Sequence, residues 1–148
     1  MILVDTNVIS EPLRKAPAAR VIDWLDAQPL ETLFLSAITV AELRFGVAAA
    51  PAGKRRDALH DSLEARVLPL FSGRVLAFDM AASRTYAELM ARAREVGLAI
   101  GTTDGYIAAT AAANGMMVAT RDTSPFEAAG VSVINPWEAQ ATPTGSPG

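Results

Sequence analysis

Short apolar runs without charge alternate along the chain with longer segments of helical period. These runs occupy residues 2–4, 33–35, 75–78, 117–119 and 131–134. Most of them lack polar alternation, which is typical of strands that are covered on both faces. The sequence therefore predicts a central sheet of about five short strands.

The segments between the runs predict helices. One opens at Pro17 and ends before Pro29, and the others span residues 38–50, 54–68, 80–96 and 103–114. Strands that alternate with helices indicate an α/β domain with a mainly parallel sheet and right-handed crossovers. We expect one domain over residues 1–138. Residues 139–148 contain no charge and no large apolar group, and we expect a mobile tail there.

Composition limits the chemistry that the chain can support. The 148 residues include no cysteine and a single histidine, His60, which excludes a disulfide framework and a Cys/His zinc cluster. Any metal must then be held by oxygen, as Mg²⁺ or Mn²⁺ would be. The missing thiols suit a reducing cytoplasm. We expect no signal peptide and no membrane span, because the start has no basic leader and the longest uncharged run is too short.

Net charge neither indicates nor excludes a nucleic-acid partner. Lys and Arg number 13 against 16 Asp and Glu, for a net charge of −3, whereas phosphate binding usually appears as a basic surplus. Four of the acids are candidate metal ligands. Without them, the other 12 acids nearly balance the 13 basic residues.

Those four acids, Asp5, Glu42, Asp104 and Asp122, lie in segments that are otherwise nearly free of charge. A buried carboxylate is unfavourable by several kcal/mol unless it is paired, hydrogen-bonded or bound to a cation. Most of the remaining acids lie among basic or polar neighbours, as Asp57, Asp61 and Glu64 do, and are predicted to be solvated together with His60. The four acids therefore predict an oxygen-ligand site for a divalent ion.

Each of the four acids also has a purely structural interpretation. Asp5 follows the first strand, where the carboxyl ends of parallel strands face a functional crevice, but it could equally cap a helix that starts near Thr6. Glu42 could form a salt bridge with an arginine, although Arg44 at i+2 does not face it on a helix. Asp104 could stabilise a helix dipole, and Asp122 could cap a turn or pair with Arg121.

Taken in order, these segments resemble the PIN-domain ribonucleases, and closely the VapC/FitB-type toxins of bacterial toxin–antitoxin pairs. The resemblance spans roughly residues 1–138. It rests on Asp5-Thr6-Asn7, on residues 36–46 around Glu42, on residues 100–109 around Asp104, on Thr120-Arg121-Asp122 and on residues 134–137.

The resemblance implies a three-layer fold, with a parallel sheet flanked by helices and an acidic pocket that binds Mg²⁺ or Mn²⁺ to cleave RNA. Asp5, Glu42, Asp104 and Asp122 match the family's acidic positions. We expect Asp5 and Asp104 to be the principal ligands, and Glu42 and Asp122 to hold a second ion or metal-bound waters. Members often carry a further Asp before the Phe that follows the fourth strand, where this chain has Pro125. Asp122 is then the fourth carboxylate.

The resemblance also implies supporting residues and partners. Thr6, Asn7 and Thr120 match polar residues that support the pocket. Arg44 and Arg121, next to the acids in sequence, are candidates for phosphate contacts. The expected partners are RNA, a second copy of the chain and a VapB/FitA-like antitoxin with a basic inhibitory tail.

Two other functions share parts of this pattern. Aspartyl-phosphate enzymes and receivers also place Asp after the first strand, but the phosphatase type needs a second Asp where this chain has Asn7. Both types use a late lysine, and the last lysine here is Lys54. A catalytically weak or inactive PIN-like module that sequesters an antitoxin or RNA remains an alternative, which a cleavage assay would separate from the nuclease.

Overall fold

Five short parallel strands form the central sheet in a computed structural model that describes residues 1–138. They are β1 (Ile2–Val4), β2 (Leu33–Ser36), β3 (Val75–Leu76), β4 (Met117–Ala119) and β5 (Val133–Ile134), in the order β3-β2-β1-β4-β5. In the register, Ile2 lies opposite both Leu33 and Met117. The predicted parallel sheet is confirmed, with the third and fifth strands shorter than expected. The tail predicted for residues 139–148 lies outside the described residues.

Within residues 1–138, seven α-helices accompany the strands. They are α1 (Thr6–Ser10), α2 (Ala19–Ala27), α3 (Ala37–Ala48), α4 (Lys54–Asp61), α5 (Met80–Glu95), α6 (Thr102–Ala113) and α7 (Ser124–Ala128). The side chain of Ser36 caps α3, and that of Asp79 caps α5. None of the helices in residues 1–138 is long and apolar enough to cross a bilayer.

The predicted helix at 54–68 is the largest departure from expectation. α4 ends at Asp61, and the chain continues as a π-helical turn at Ser62–Val67 and a 3₁₀ turn at Leu68–Phe71. Pro69 lies in the first turn of the 3₁₀ segment. Proline has no amide hydrogen and its ring clashes with the preceding helical turn, so a regular α-helix cannot pass through this position. Pro69 therefore accounts for the end predicted at residue 68, whereas nothing in the sequence indicates the earlier end of α4 at Asp61.

Apolar side chains cover both faces of the sheet. Val4 belongs to one core cluster, with Val8 and Leu35, whereas the adjacent Leu3 belongs to a second cluster, with Ile107 and Val118. Successive strand residues point to opposite faces. The sheet is therefore the middle of three layers, as predicted.

The strand order places a crevice at the carboxyl edge of the sheet. From β1 the chain adds β2 and β3 on one side and then β4 and β5 on the other. The order thus reverses between β1 and β4, and in open α/β sheets ligands bind at such a switch point, outside the carboxyl ends of the strands. Asp5 and Thr120 are the first residues after these two strands.

Candidate active site

Asp5 lies at the centre of the carboxyl edge and is 5% exposed. Its Oδ1 accepts a hydrogen bond from the Thr6 backbone N at 2.8 Å, and its Oδ2 accepts one from Thr120 Oγ1, also at 2.8 Å. Asp5 is the N-cap of α1, so the capping interpretation also holds. The capping hydrogen bond uses Oδ1, whereas Oδ2 accepts from Thr120, the residue that follows β4.

The pKa of Asp5 is raised from 3.8 to about 6. Desolvation by burial is the main cause, because it disfavours the charged form. The two hydrogen bonds oppose the rise, whereas the charges of Asp104 and Glu42 add to it. The ionised form of Asp5 is therefore destabilised by its burial and by the charges of two other carboxylates.

Asp104, half-buried in the first turn of α6, completes the cluster of acids. Its pKa is raised, first by desolvation and then by the charges of Asp122 and Glu42. The four acids thus interact electrostatically as one group, although they come from positions 5 to 122 of the chain. We call this group, Asp5, Glu42, Asp104 and Asp122, the acidic pocket.

Hydroxyl and amide groups connect the elements around the acidic pocket. Thr6 Oγ1 donates to Glu42 Oε1 at 2.6 Å, which joins α1 to α3. Thr120 Oγ1 accepts a hydrogen bond from the Asp122 backbone N at 3.1 Å, and Asn7 Nδ2 lies 3.5 Å from the same hydroxyl. Asn7 Oδ1 accepts from the Arg121 backbone N at 3.2 Å. The three polar residues singled out in the sequence therefore contact the acids or the loop that carries Asp122.

Neither candidate phosphate-binding arginine pairs with the acids of the pocket. Arg44 forms a two-point ion pair with Glu64, with Nε–Oε1 at 2.8 Å and Nη2–Oε2 at 3.1 Å. The guanidinium of Arg121 lies over the Trp137 ring, 5.0 Å from its centroid. Within residues 1–138, no guanidinium lies within ion-pair distance of any of the four carboxylates.

The prediction that the remaining acids are solvated is wrong for Glu11, which is 3% exposed. Its Oε2 accepts from the Ala18 backbone N at 2.8 Å, and its Oε1 pairs with Arg14 Nη1 at 3.2 Å. The Ala18 hydrogen bond is the main cause of its lowered pKa, and Arg14 and Arg121 contribute to the shift. Its spacing of three residues from Arg14 was the available signal. His60, by contrast, is exposed as predicted.

The donor chemistry of the acidic pocket fits a hard divalent cation. All donors are carboxylate oxygens. Two of the four acids have pKa values raised first by burial and then by the charges of the other carboxylates, and a bound cation would oppose both effects. Within residues 1–138, no three Asp, Glu or His side chains already lie in the arrangement of a metal site. Asp5 and Glu42 each accept a hydrogen bond from a threonine hydroxyl in this structure.

A parallel sheet with acids gathered at its switch point defines a class of protein. The chain matches the PIN domain over residues 2–131 and belongs to that family. It is 65% identical to the VapC ribonuclease Y4jK of Sinorhizobium fredii over 138 residues, or 93% of this chain and 99% of that protein.

Toxin FitB of Neisseria gonorrhoeae is 56% identical over 137 residues, or 93% of this chain and 99% of that protein. The crystal structure of FitAcB from N. gonorrhoeae superimposes with a TM-score of 0.92 at 55% identity, over 94% of this chain and 100% of that one. The resemblance inferred from the sequence is therefore confirmed.

Proposed function

We propose that the chain is an endoribonuclease that depends on Mg²⁺ or Mn²⁺ and acts as the toxin of a toxin–antitoxin pair. The observation that carries the proposal is the acidic pocket, in which four carboxylates gather at the switch point and none has a guanidinium partner among the described residues. The names of two relatives, VapC ribonuclease Y4jK and Toxin FitB, support it. We further propose that residues 1–138 act as one domain, in the cytoplasm, as a homodimer.

The chain's own residues supply position and charge. We assign Asp5 and Asp104 as the principal ligands and Glu42 and Asp122 to a second ion or its waters. A bound divalent ion offsets phosphate charge and acidifies water. Thr6 and Thr120 hold Asp5 between β1 and β4, so its position does not depend on the ion. Arg44 would reach a phosphate only after leaving Glu64, and Arg121 only after leaving Trp137.

The partner class follows from the charge of the acidic pocket. An antitoxin with a basic tail would place a cationic side chain among carboxylates that have no such partner within residues 1–138. The same chemistry suits the alternative function, a non-catalytic module that holds an antitoxin or RNA. The observation that favours this alternative is the lack of a ready-made ligand set within residues 1–138.

Cleavage of a labelled single-stranded RNA by the purified chain separates the two functions. We expect cleavage with Mg²⁺ or Mn²⁺ and none after chelation with EDTA. Asp5→Asn should lower the rate by at least about 100-fold while the circular dichroism spectrum is unchanged. Asp26→Asn, at an exposed position on α2, is the matched control and should cleave like the wild type.

Full activity of Asp5→Asn would refute the assignment of the site. An inactive wild type with both ions would instead favour the binding module. Sequencing of RNA ends after brief expression of the wild type and of Asp5→Asn would identify the target, because only ends specific to the wild type report cleavage by the acidic pocket.

A further inference from the structure

A groove of about 370 Å³ leads away from the acidic pocket between α1, α3 and α4. Thr6 and Glu42, both part of the site, line its near end. Arg14 and Arg55 line it as well. Arg14 follows a 3₁₀ turn at Glu11–Leu13, and Arg55 is the second residue of α4. We call this feature the α1–α4 groove. It connects the proposed cleavage site to two cationic side chains.

Both guanidinium groups keep most of their donors available. Arg55 donates from Nη2 to the Leu13 carbonyl at 3.2 Å, and within residues 1–138 no carboxylate lies within ion-pair distance of it. Arg14 uses Nη1 for Glu11, and its side chain remains 62% exposed. A guanidinium has five N–H donors, so each group can still bind a phosphate through two of them.

The floor of the groove is apolar. Leu13, Leu43 and Leu59 line it, and the hydroxyl of Ser10 adds a polar group beside them. Grooves for single-stranded nucleic acid combine cationic groups that follow the backbone with surfaces that accept the faces of bases. Glu42 adds a negative charge at the near end of the groove, where the proposed metal would offset it, and Glu11 pairs with Arg14. The remaining N–H donors of Arg14 and Arg55 therefore favour a polyanion that runs from the acidic pocket to these two side chains.

We propose that the α1–α4 groove binds the RNA strand next to the cleaved bond, with Arg14 and Arg55 on successive backbone phosphates. The inference rests on the proposed function, because it takes the acidic pocket as the point of cleavage. Glu11 is then a positioning residue. It holds Arg14 at the groove through the 3.2 Å ion pair and is itself fixed by the Ala18 backbone N.

The test uses Asp5→Asn as the reference, since it should bind RNA without cutting it. Binding of a fluorescent single-stranded RNA is measured by anisotropy at several salt concentrations. Adding Arg55→Gln should weaken binding and reduce the slope of log K against log salt by about 0.7, the value for one phosphate contact on a single strand. Arg14→Gln should do the same. Arg92→Gln on α5, which lines a separate cavity, should change neither quantity.

Arg55→Gln is the primary variant because it leaves the ion pair between Arg14 and Glu11 intact. Thermal unfolding verifies that each variant is folded. Unchanged affinity and slope in both arginine variants would overturn the inference. Loss of binding to a VapB/FitA-like antitoxin with RNA binding unchanged would also overturn it, since the groove would then belong to a protein partner.

Cleavage by the otherwise wild-type chain distinguishes failure of the groove from failure of the nuclease. We expect Arg55→Gln to raise KM and leave kcat near the wild-type value. Cleavage with an unchanged KM would refute the groove alone. No cleavage by the wild type would refute the proposed function itself.

Discussion

Replacing Asp5 with asparagine should stabilise the metal-free protein at neutral pH, although it removes the central residue of the site. The folded protein raises the pKa of Asp5 from 3.8 to about 6, so between these values the folded state binds more protons than the unfolded state. The free energy of unfolding must therefore fall as pH rises through this interval. A shift of this size corresponds to roughly 3 kcal/mol that ionised Asp5 removes at pH 7.5.

Asparagine removes that penalty but offers one acceptor oxygen in place of two. Either the Thr6 amide or the Thr120 hydroxyl loses its partner, at about 1 kcal/mol. We expect Asp5→Asn to be more stable than the wild type by about 2 kcal/mol at pH 7.5 and less stable by about 1 kcal/mol at pH 4.

Urea unfolding in EDTA, followed by the fluorescence of Trp24 and Trp137, measures both differences. Asp104, whose pKa is also raised, should leave a weaker pH dependence of the same sign in the variant. Asp26→Asn is again the control and should follow the wild type at each pH. If Asp5→Asn were less stable than the wild type at pH 7.5, or had the same pH dependence, ionised Asp5 would not destabilise the folded protein.

Two further substitutions test the packing and the polar support of the site. A Cβ at Gly105 would lie 2.9 Å from Met90 Sδ. Gly105→Ala should therefore destabilise the fold by about 1–3 kcal/mol in thermal unfolding. Gly46 has open space around it, so Gly46→Ala should be neutral or stabilising. Equal effects of the two would contradict the close approach of α5 and α6. Thr120→Val removes a hydrogen-bond donor to Asp5, so it should destabilise the fold by about 1–3 kcal/mol at pH 7.5 in the urea assay. Unchanged stability would show that this hydrogen bond is dispensable.

The sequence predicts the layers of the fold better than its short elements. Uncharged apolar runs identify β1, β2 and β4 closely, because strands covered on both faces leave no room for charge. α1 and α7 have five residues each, which is too short for a helical period to be visible. The sequence suggests only a turn after Asp122, and α7 is therefore not predicted.

The sequence likewise predicts the acids of the candidate site but not their surroundings. The sequence singles out acids without basic neighbours, and the fold brings Asp5, Glu42, Asp104 and Asp122 into one electrostatic group. It could not predict that Arg44 pairs with Glu64, 20 positions away, because that contact depends on how α3 packs against the π-helical turn. The role of each acid stays a prediction until the variants are measured.

The neighbours of β1 in the sheet have a consequence for synthesis of the chain on the ribosome. Ile2 pairs with Met117, and Thr120 reaches back across 115 positions to Asp5. Closing so long a loop is slow and must wait until both partners have left the exit tunnel. A nascent chain consequently carries Asp5 without the Thr120 hydroxyl until residue 120 has left the tunnel, so the acidic pocket is assembled only after that point.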